Sequence, residues 1–325
     1  MKPVIETTHL TKQFKVKKKS GQLLKDLFRP EYQDVIAVDD ISFSLEEGES
    51  VAFVGPNGAG KTTTTKMLCG LVYPTRGDIS VLGYFPFDRN KNFLEQIGLV
   101  MGSKAGLNWD LTPNQSFDLL RQIYQIPDND FKQRVGILTE LLSAEKFLGT
   151  QVRKLSLGER MKMELIGSIL HKPKVLFLDE PTIGLDIISR QKTRKFLRQI
   201  QKEFKTTMLL TSHDMADVET VCDRVIIINS GKIVYDNALA ALMEQYRQTR
   251  YVKFIFHQIP SPEEIKVGFE AKIVQTGENY YTYEVKHTLM PQLITAISQN
   301  FKLVDIDILS IPLEEIIADI FRNTT

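Results

Sequence analysis

Gly55-Pro56-Asn57-Gly58-Ala59-Gly60-Lys61-Thr62-Thr63 follows directly on an apolar run, Val51 to Val54, and opens a helical pattern that continues to Leu71. The segment fits Gly-x4-Gly-Lys-Thr between a strand and a helix. Few sequence features restrict a chain more. Glycines let backbone N–H groups turn inward and leave room for a close approach. The helix start adds its positive end, and Lys61 adds a full cation. Such a loop is built for a triphosphate, with Lys61 on the β and γ phosphates and the Thr62 hydroxyl placed for Mg²⁺.

A second apolar run, Val175 to Leu178, ends in Asp179-Glu180. At a strand's end two adjacent carboxylates diverge into a site. Asp179 is the expected Mg²⁺ partner and Glu180 the expected base that polarises the attacking water. Together the two segments point to ATP hydrolysis rather than nucleotide storage. Apolar strand runs at 51–54, 97–101, 175–178, 206–211 and 225–229 alternate with helical stretches at 61–71, 114–170 (broken near Pro127 and Gly149), 188–204 and 214–222. That alternation predicts a largely parallel α/β sheet. Strands at 4–10, 41–45 and 75–83 precede or interrupt it. Near residue 240 the character changes. Strands at 251–257, 271–286 (a pair turned at 277–279) and 302–308 are expected there. Helices are expected after Pro260 and Pro262, at 288–299 and at 312–322.

Composition narrows the class. Hydrophobic residues make up 42% and charged residues 25% of 325, with a formal net charge of +1. That is ordinary for a globular protein, and the balance argues against nucleic acid as a partner. The two cysteines, Cys69 and Cys222, are far apart and suggest no disulfide or metal framework. The start, MKPVIETTHL, has no apolar leader core, and no run reaches the roughly 18 apolar residues of a membrane span. A membrane role would come through a partner. One local feature stands out: Lys12, Lys15, Lys17, Lys18, Lys19, Lys25 and Arg29 form a basic stretch, read as a solvated hairpin insertion or as a contact for acidic headgroups.

Further motifs stand in a telling order. Leu155-Ser156-Leu157-Gly158-Glu159 precedes a helix, and its Ser156 hydroxyl and Gly158 backbone form a second anion site with no lysine. Pro181 to Asp186 (PTIGLD) and Thr211-Ser212-His213-Asp214 follow. Over about residues 4–235 the chain resembles an ATP-binding cassette (ABC) subunit of a transporter, with LSLGE for the LSGGQ signature, PTIGLD for the D-loop and SHD for the switch histidine. The resemblance implies a P-loop α/β cassette at 1–238, with a mostly parallel core sheet, an antiparallel β subdomain and a helical subdomain at about 103–170. A small C-terminal α+β domain is expected at 239–325. It also implies roles: Phe14 stacking on adenine, His213 sensing the γ-phosphate, and Asp186 in the nucleotide interface. ATP and Mg²⁺ are the implied ligands. The implied partners are a second cassette, identical or not, paired head to tail, and separate transmembrane permease subunits. The implied location is the cytoplasmic face of the membrane. GLVMGSKAGLNWDLTPNQSF, KLSLGERMK and LFLDEPTIGLD resemble the ABC-2 type, commonly exporters, with residues 102–113, including an exposed Trp109 and Leu107, lining the partner groove. A non-transport cassette, acting as an ATP-gated interaction module or a membrane-linked signaller, is the competing expectation.

Two departures from the family pattern matter. Ser103 stands where a glutamine normally reaches the metal and the membrane partner. It is taken as a metal-side ligand of shorter reach. Glu159 stands for the signature glutamine, where it would repel a phosphate unless turned away or paired with Arg160 or Lys162. The first departure predicts slowed or altered hydrolysis. Ser103→Gln should therefore change the ATP turnover rate in a steady-state assay, and an unchanged rate would remove Ser103 from the mechanism.

Overall fold

The computed structural model describes residues 3–17, 32–102, 106–246, 249–262, 264–265, 270–309 and 312–324. The chain divides into two compact units, Met1–Asn237 and Ala238–Thr325.

In the first unit β1 (Ile5–Lys17) and β2 (Tyr32–Leu45) form a long antiparallel hairpin, and β4 (Arg76–Val81) pairs with the other side of β1. Both hairpin strands run well past the expected 4–10 and 41–45. The extension is largely exposed, so apolar alternation does not mark it, and mutual backbone pairing from Gln13↔Ile36 to Lys17↔Tyr32 supplies what side-chain burial does not. Lys12, Lys15 and Lys17 lie on this ladder, while Lys18, Lys19, Lys25 and Arg29 lie outside the described residues.

The second sheet has the order β5-β6-β7-β3-β8-β9: β3 is Ser50–Val54, β5 Ile97–Met101, β6 Val175–Asp179, β7 Thr207–Thr211, β8 Arg224–Asn229 and β9 Lys232–Ala238. The pairs β5/β6, β6/β7, β7/β3 and β3/β8 are all parallel. Strands β3, β6 and β7 are buried at every position, as a central parallel sheet covered on both faces requires. One apolar core joins the two sheets, with Ile5, Leu10, Ile41 and Phe43 meeting Phe53, Phe177, Leu209 and Ile226.

The helices of this unit are α1 (Lys61–Leu68), the single turn α2 (Lys91–Leu94), α3 (Pro113–Ile123), α4 (Asp128–Leu142), α5 (Leu157–Ile169), α6 (Ile187–Phe204) and α7 (Met215–Val221); α5 packs against β5, and α3 and α4 pack against α5. Thr112 and Gln115 exchange hydrogen bonds in a capping box that starts α3. Both cysteines are buried; desolvation pushes the thiol of Cys222 up to about 12 and that of Cys69 higher still.

The second unit opens with α8 (Leu239–Tyr246), which, like β9, the sequence reading does not anticipate. Its sheet has the order β11-β12-β10-β13, every neighbour antiparallel: β10 is Thr249–Phe256, β11 Ala271–Thr276, β12 Tyr280–Lys286 and β13 Leu303–Leu309. This is the strand arrangement of a split β-α-β fold. Leu293 and Ile297 of α9 (Met290–Asn300) join Val252, Phe254 and Tyr283 in a separate core, and α10 (Leu313–Asn323) buries Leu313, Ile316 and Ile317. The helix expected after Pro262 lies largely outside the described residues. Among the described residues no helix is long and apolar enough to cross a membrane.

Candidate active site

Parallel pairing brings the carboxyl ends of β3, β6 and β7 to one edge of the sheet, where ligands of open α/β sheets bind. The loop 55–63 leaves β3 there. Pro56, Asn57 and Gly58 are exposed, and Ala59 and Gly60 are buried. Gly60 has φ of 111°, and a Cβ there would overlap the Ala37 carbonyl of β2, so only glycine fits this turn into α1. Beside Gly58, whose φ is 84°, an added Cβ would meet open space, so there the backbone angle and not crowding favours glycine. The Thr64 N–H already bonds the Gly60 carbonyl, and Thr63 lies in the first turn of α1. Lys61 Nζ donates to the carbonyls of Gly55 (2.6 Å) and Pro56 (3.2 Å). Burial lowers the Lys61 pKa, opposed by the nearby charges of Glu180 and Asp179.

Asp179 ends β6 and is buried. Thr62 Oγ1 lies 3.2 Å from each of its carboxylate oxygens, and Thr211 Oγ1 donates to Oδ1 at 2.5 Å. The Asp179↔Thr211 register dictates the second contact. No role for Thr211 emerges from the sequence, yet a hydroxyl ending the neighbouring strand is a usable signal. Among the described residues no cluster of three or more His, Cys, Asp or Glu could cage a metal. One carboxylate and one hydroxyl do suit Mg²⁺, which keeps waters and takes its remaining oxygens from phosphates. Ser103 lies outside the described residues; β5 reaches the site through Met101↔Asp179 and a Gly102 N–H bond to the Asp179 carbonyl (2.8 Å).

Glu180 has φ of 57°, an uncommon left-handed backbone for a non-glycine residue that turns its side chain out of the strand. Its backbone N–H bonds the Thr211 carbonyl (3.0 Å), and its Oε2 lies 2.6 Å from His213 Nδ1. With Glu180 ionised, its carboxylate accepts and His213 Nδ1 is the donor. Desolvation raises the Glu180 pKa, and the His213 contact partly offsets it. Behind this pair Asp217, 1% exposed, accepts from Thr182 Oγ1 (2.6 Å), Ser212 Oγ (2.8 Å) and Arg194 Nε (2.5 Å). That network locks the 181–186 and 211–214 loops together, and the sequence reading misses it.

Ser156 caps α5. Its Oγ accepts from Glu159 N–H (3.3 Å) while Glu159 Oε2 accepts from Ser156 N–H (2.9 Å). Glu159 is thus held in a capping box with Ser156. Asp186 caps α6 by accepting from Ser189 N–H (2.9 Å) and Oγ (2.7 Å), and these bonds lower its pKa. Gly158 packs beside Gly184 and Leu185, with Leu157 over Gly184. Phe14 is half-exposed beneath Lys12 Nζ, 4.9 Å from the ring centroid, and pairs with Val35 two residues from the Ala37 that backs Gly60. Leu107, expected to be exposed, is buried against Gly167, whereas Trp109 is exposed, with Arg160 5.3 Å from its ring centroid.

The family model described as ABC transporter matches residues 38–183. The ABC transporter ATP-binding protein NatA of Bacillus subtilis (strain 168) is 34% identical over 220 residues, covering 68% of this chain and 89% of NatA. This chain belongs to the ABC transporter family. It is an ATP-binding ATPase of that family, with ATP and Mg²⁺ as its ligands. The Nod factor export ATP-binding protein I of Burkholderia orbicola (strain AU 1054) is 34% identical over 213 residues, 66% of this chain and 69% of that protein. A solved structure of an ATP-binding subunit of an ABC transporter superposes with a TM-score of 0.62 at 25% identity, covering 75% of this chain and 93% of that one.

The base must be ionised to accept a proton. With its pKa raised, the acid limb of kcat should lie above the pH at which an ordinary glutamate titrates. His213→Ala removes interactions that lower this pKa. The limb of the residual activity should then move to higher pH, as a kcat–pH profile would record.

Proposed function

We propose that this chain powers a membrane-embedded exporter of the ABC-2 type from the cytoplasmic face. ATP drives it to pair head to tail with a second cassette. Phe14 stacks on adenine, residues 55–63 hold the phosphates, and Thr62 and Asp179 would hold the metal. Glu180 polarises the attacking water, and His213 keeps that water and the γ-phosphate in register. The metal supplies charge neutralisation at the phosphates. Ser156 and Gly158 serve the nucleotide of the opposite subunit, with Asp186 at the seam.

The observation that carries this reading is an exposed apolar patch beside the signature serine. Leu157 is 39% exposed, and Ile187 and Ile188, at the start of the helix that Asp186 caps, are 77% and 68% exposed. Large apolar side chains at the rim of a phosphate-binding helix end call for a covering surface. The second subunit supplies it. A groove of about 580 Å³ between β5, α3 and α5 is lined by Leu99, Leu107, Leu120, Ile123, Tyr124 and His171. It suits an amphipathic segment of the membrane subunit.

Glu180→Gln should lower kcat by about 100-fold or more while ATP still drives pairing in sedimentation velocity. A variant that stays monomeric with ATP would count against pairing. The tagged chain drawn from detergent-solubilised membranes should carry a multi-span protein. A free, monodisperse ATPase there would favour the gating alternative.

A further inference from the structure

Glu164 lies two turns into the signature helix α5 and is 8% exposed. A buried carboxylate requires partners. Here they are backbone groups: Oε1 accepts from the N–H of Gly106 (3.0 Å) and Leu107 (3.1 Å), and Oε2 from the N–H of Gly106 (3.0 Å). The carboxylate approaches so closely that a Cβ on Gly106 would lie 2.9 Å from Oε2. One turn on, Gly167 leaves room for the Leu107 side chain, 3.3 Å from where a Cβ would sit. Arg160, one turn before, covers Trp109. The backbone then continues the seam, with Val152 N–H on the Leu111 carbonyl (3.0 Å) and Arg153 N–H on that of Trp109 (3.1 Å). Residues 106–111 are therefore fastened along the signature element by a carboxylate, a ring contact and backbone bonds together.

We infer that Glu164 is a positioning residue for ATP hydrolysis: it clamps residues 106–111 along α5, the helix that Ser156 caps, and so fixes the frame from which the signature serine is presented. Glu164 itself touches neither nucleotide nor water. This role rests on the head-to-tail pairing proposed above, through which Ser156 meets a nucleotide, and is independent of whether the membrane partner exports or gates.

Glu164→Gln keeps the shape but can turn an amide N–H toward the Gly106 and Leu107 donors. It should reduce kcat about 10-fold, as small misplacements do, with KM for ATP within about 2-fold of wild type by the same reasoning that binding groups are untouched. Amide exchange at Gly106 and Leu107 should quicken. Gly106→Ala presses on the same carboxylate from the other side and should reproduce the kcat loss, and the double variant should be no worse than the poorer single one. The inference is overturned by additive losses, by unchanged kcat in both single variants, or by KM and kcat falling away together with thermal stability. If Glu164→Gln fails to fold, a normal kcat in Gly106→Ala overturns it equally.

Discussion

The site depends on one alignment of strands. Because β3, β6 and β7 run parallel, the chain's commitment at three distant points arrives at one edge. Asp179 is then gripped by hydroxyls from two other elements, Thr62 of α1 and Thr211 of β7. Antiparallel pairing of any one strand would send its loop to the opposite edge. The buried apolar runs of these strands are therefore functional in an indirect sense. They set the positions from which a lysine, a carboxylate and a histidine converge.

Much of this is legible in the sequence because phosphate chemistry restricts residue type at fixed spacing. A loop such as 55–63 has few workable sequences, and a strand ending in two carboxylates downstream of it has few uses besides a hydrolytic site. The harder parts are contacts whose partners are remote and whose residue types are ordinary. Glu164 reads as one more helical charge until the fold sets it against backbone 57 and 58 residues away. Asp217 likewise passes for a surface acid of a short helix, although it is the buried hub of two loops. Leu107 escapes the sequence reading because its burial depends on a glycine in α5.

Strand lengths escape it for a related reason. The outer hairpin of β1 and β2 owes its order to cross-strand backbone pairing, and its residues, including Tyr32 and Ile36, stay exposed. Patterns of burial carry no record of such a ladder. In the second unit the opposite holds. Alternation in 251–257 is strong because β10 is central, and its even-numbered residues Val252, Phe254 and Phe256 fill the core.

The two buried cysteines have a practical side. A thiol reacts as its thiolate, and burial keeps Cys69 and Cys222 both protonated and shielded near neutral pH. The native chain should therefore be silent to an alkylating dye or a spin label. A cysteine introduced on the surface would thus be the one reactive thiol, with the wild-type background left intact. The approach of two signature helices, or the loosening of residues 106–111, could then be followed as a distance in an otherwise unaltered protein.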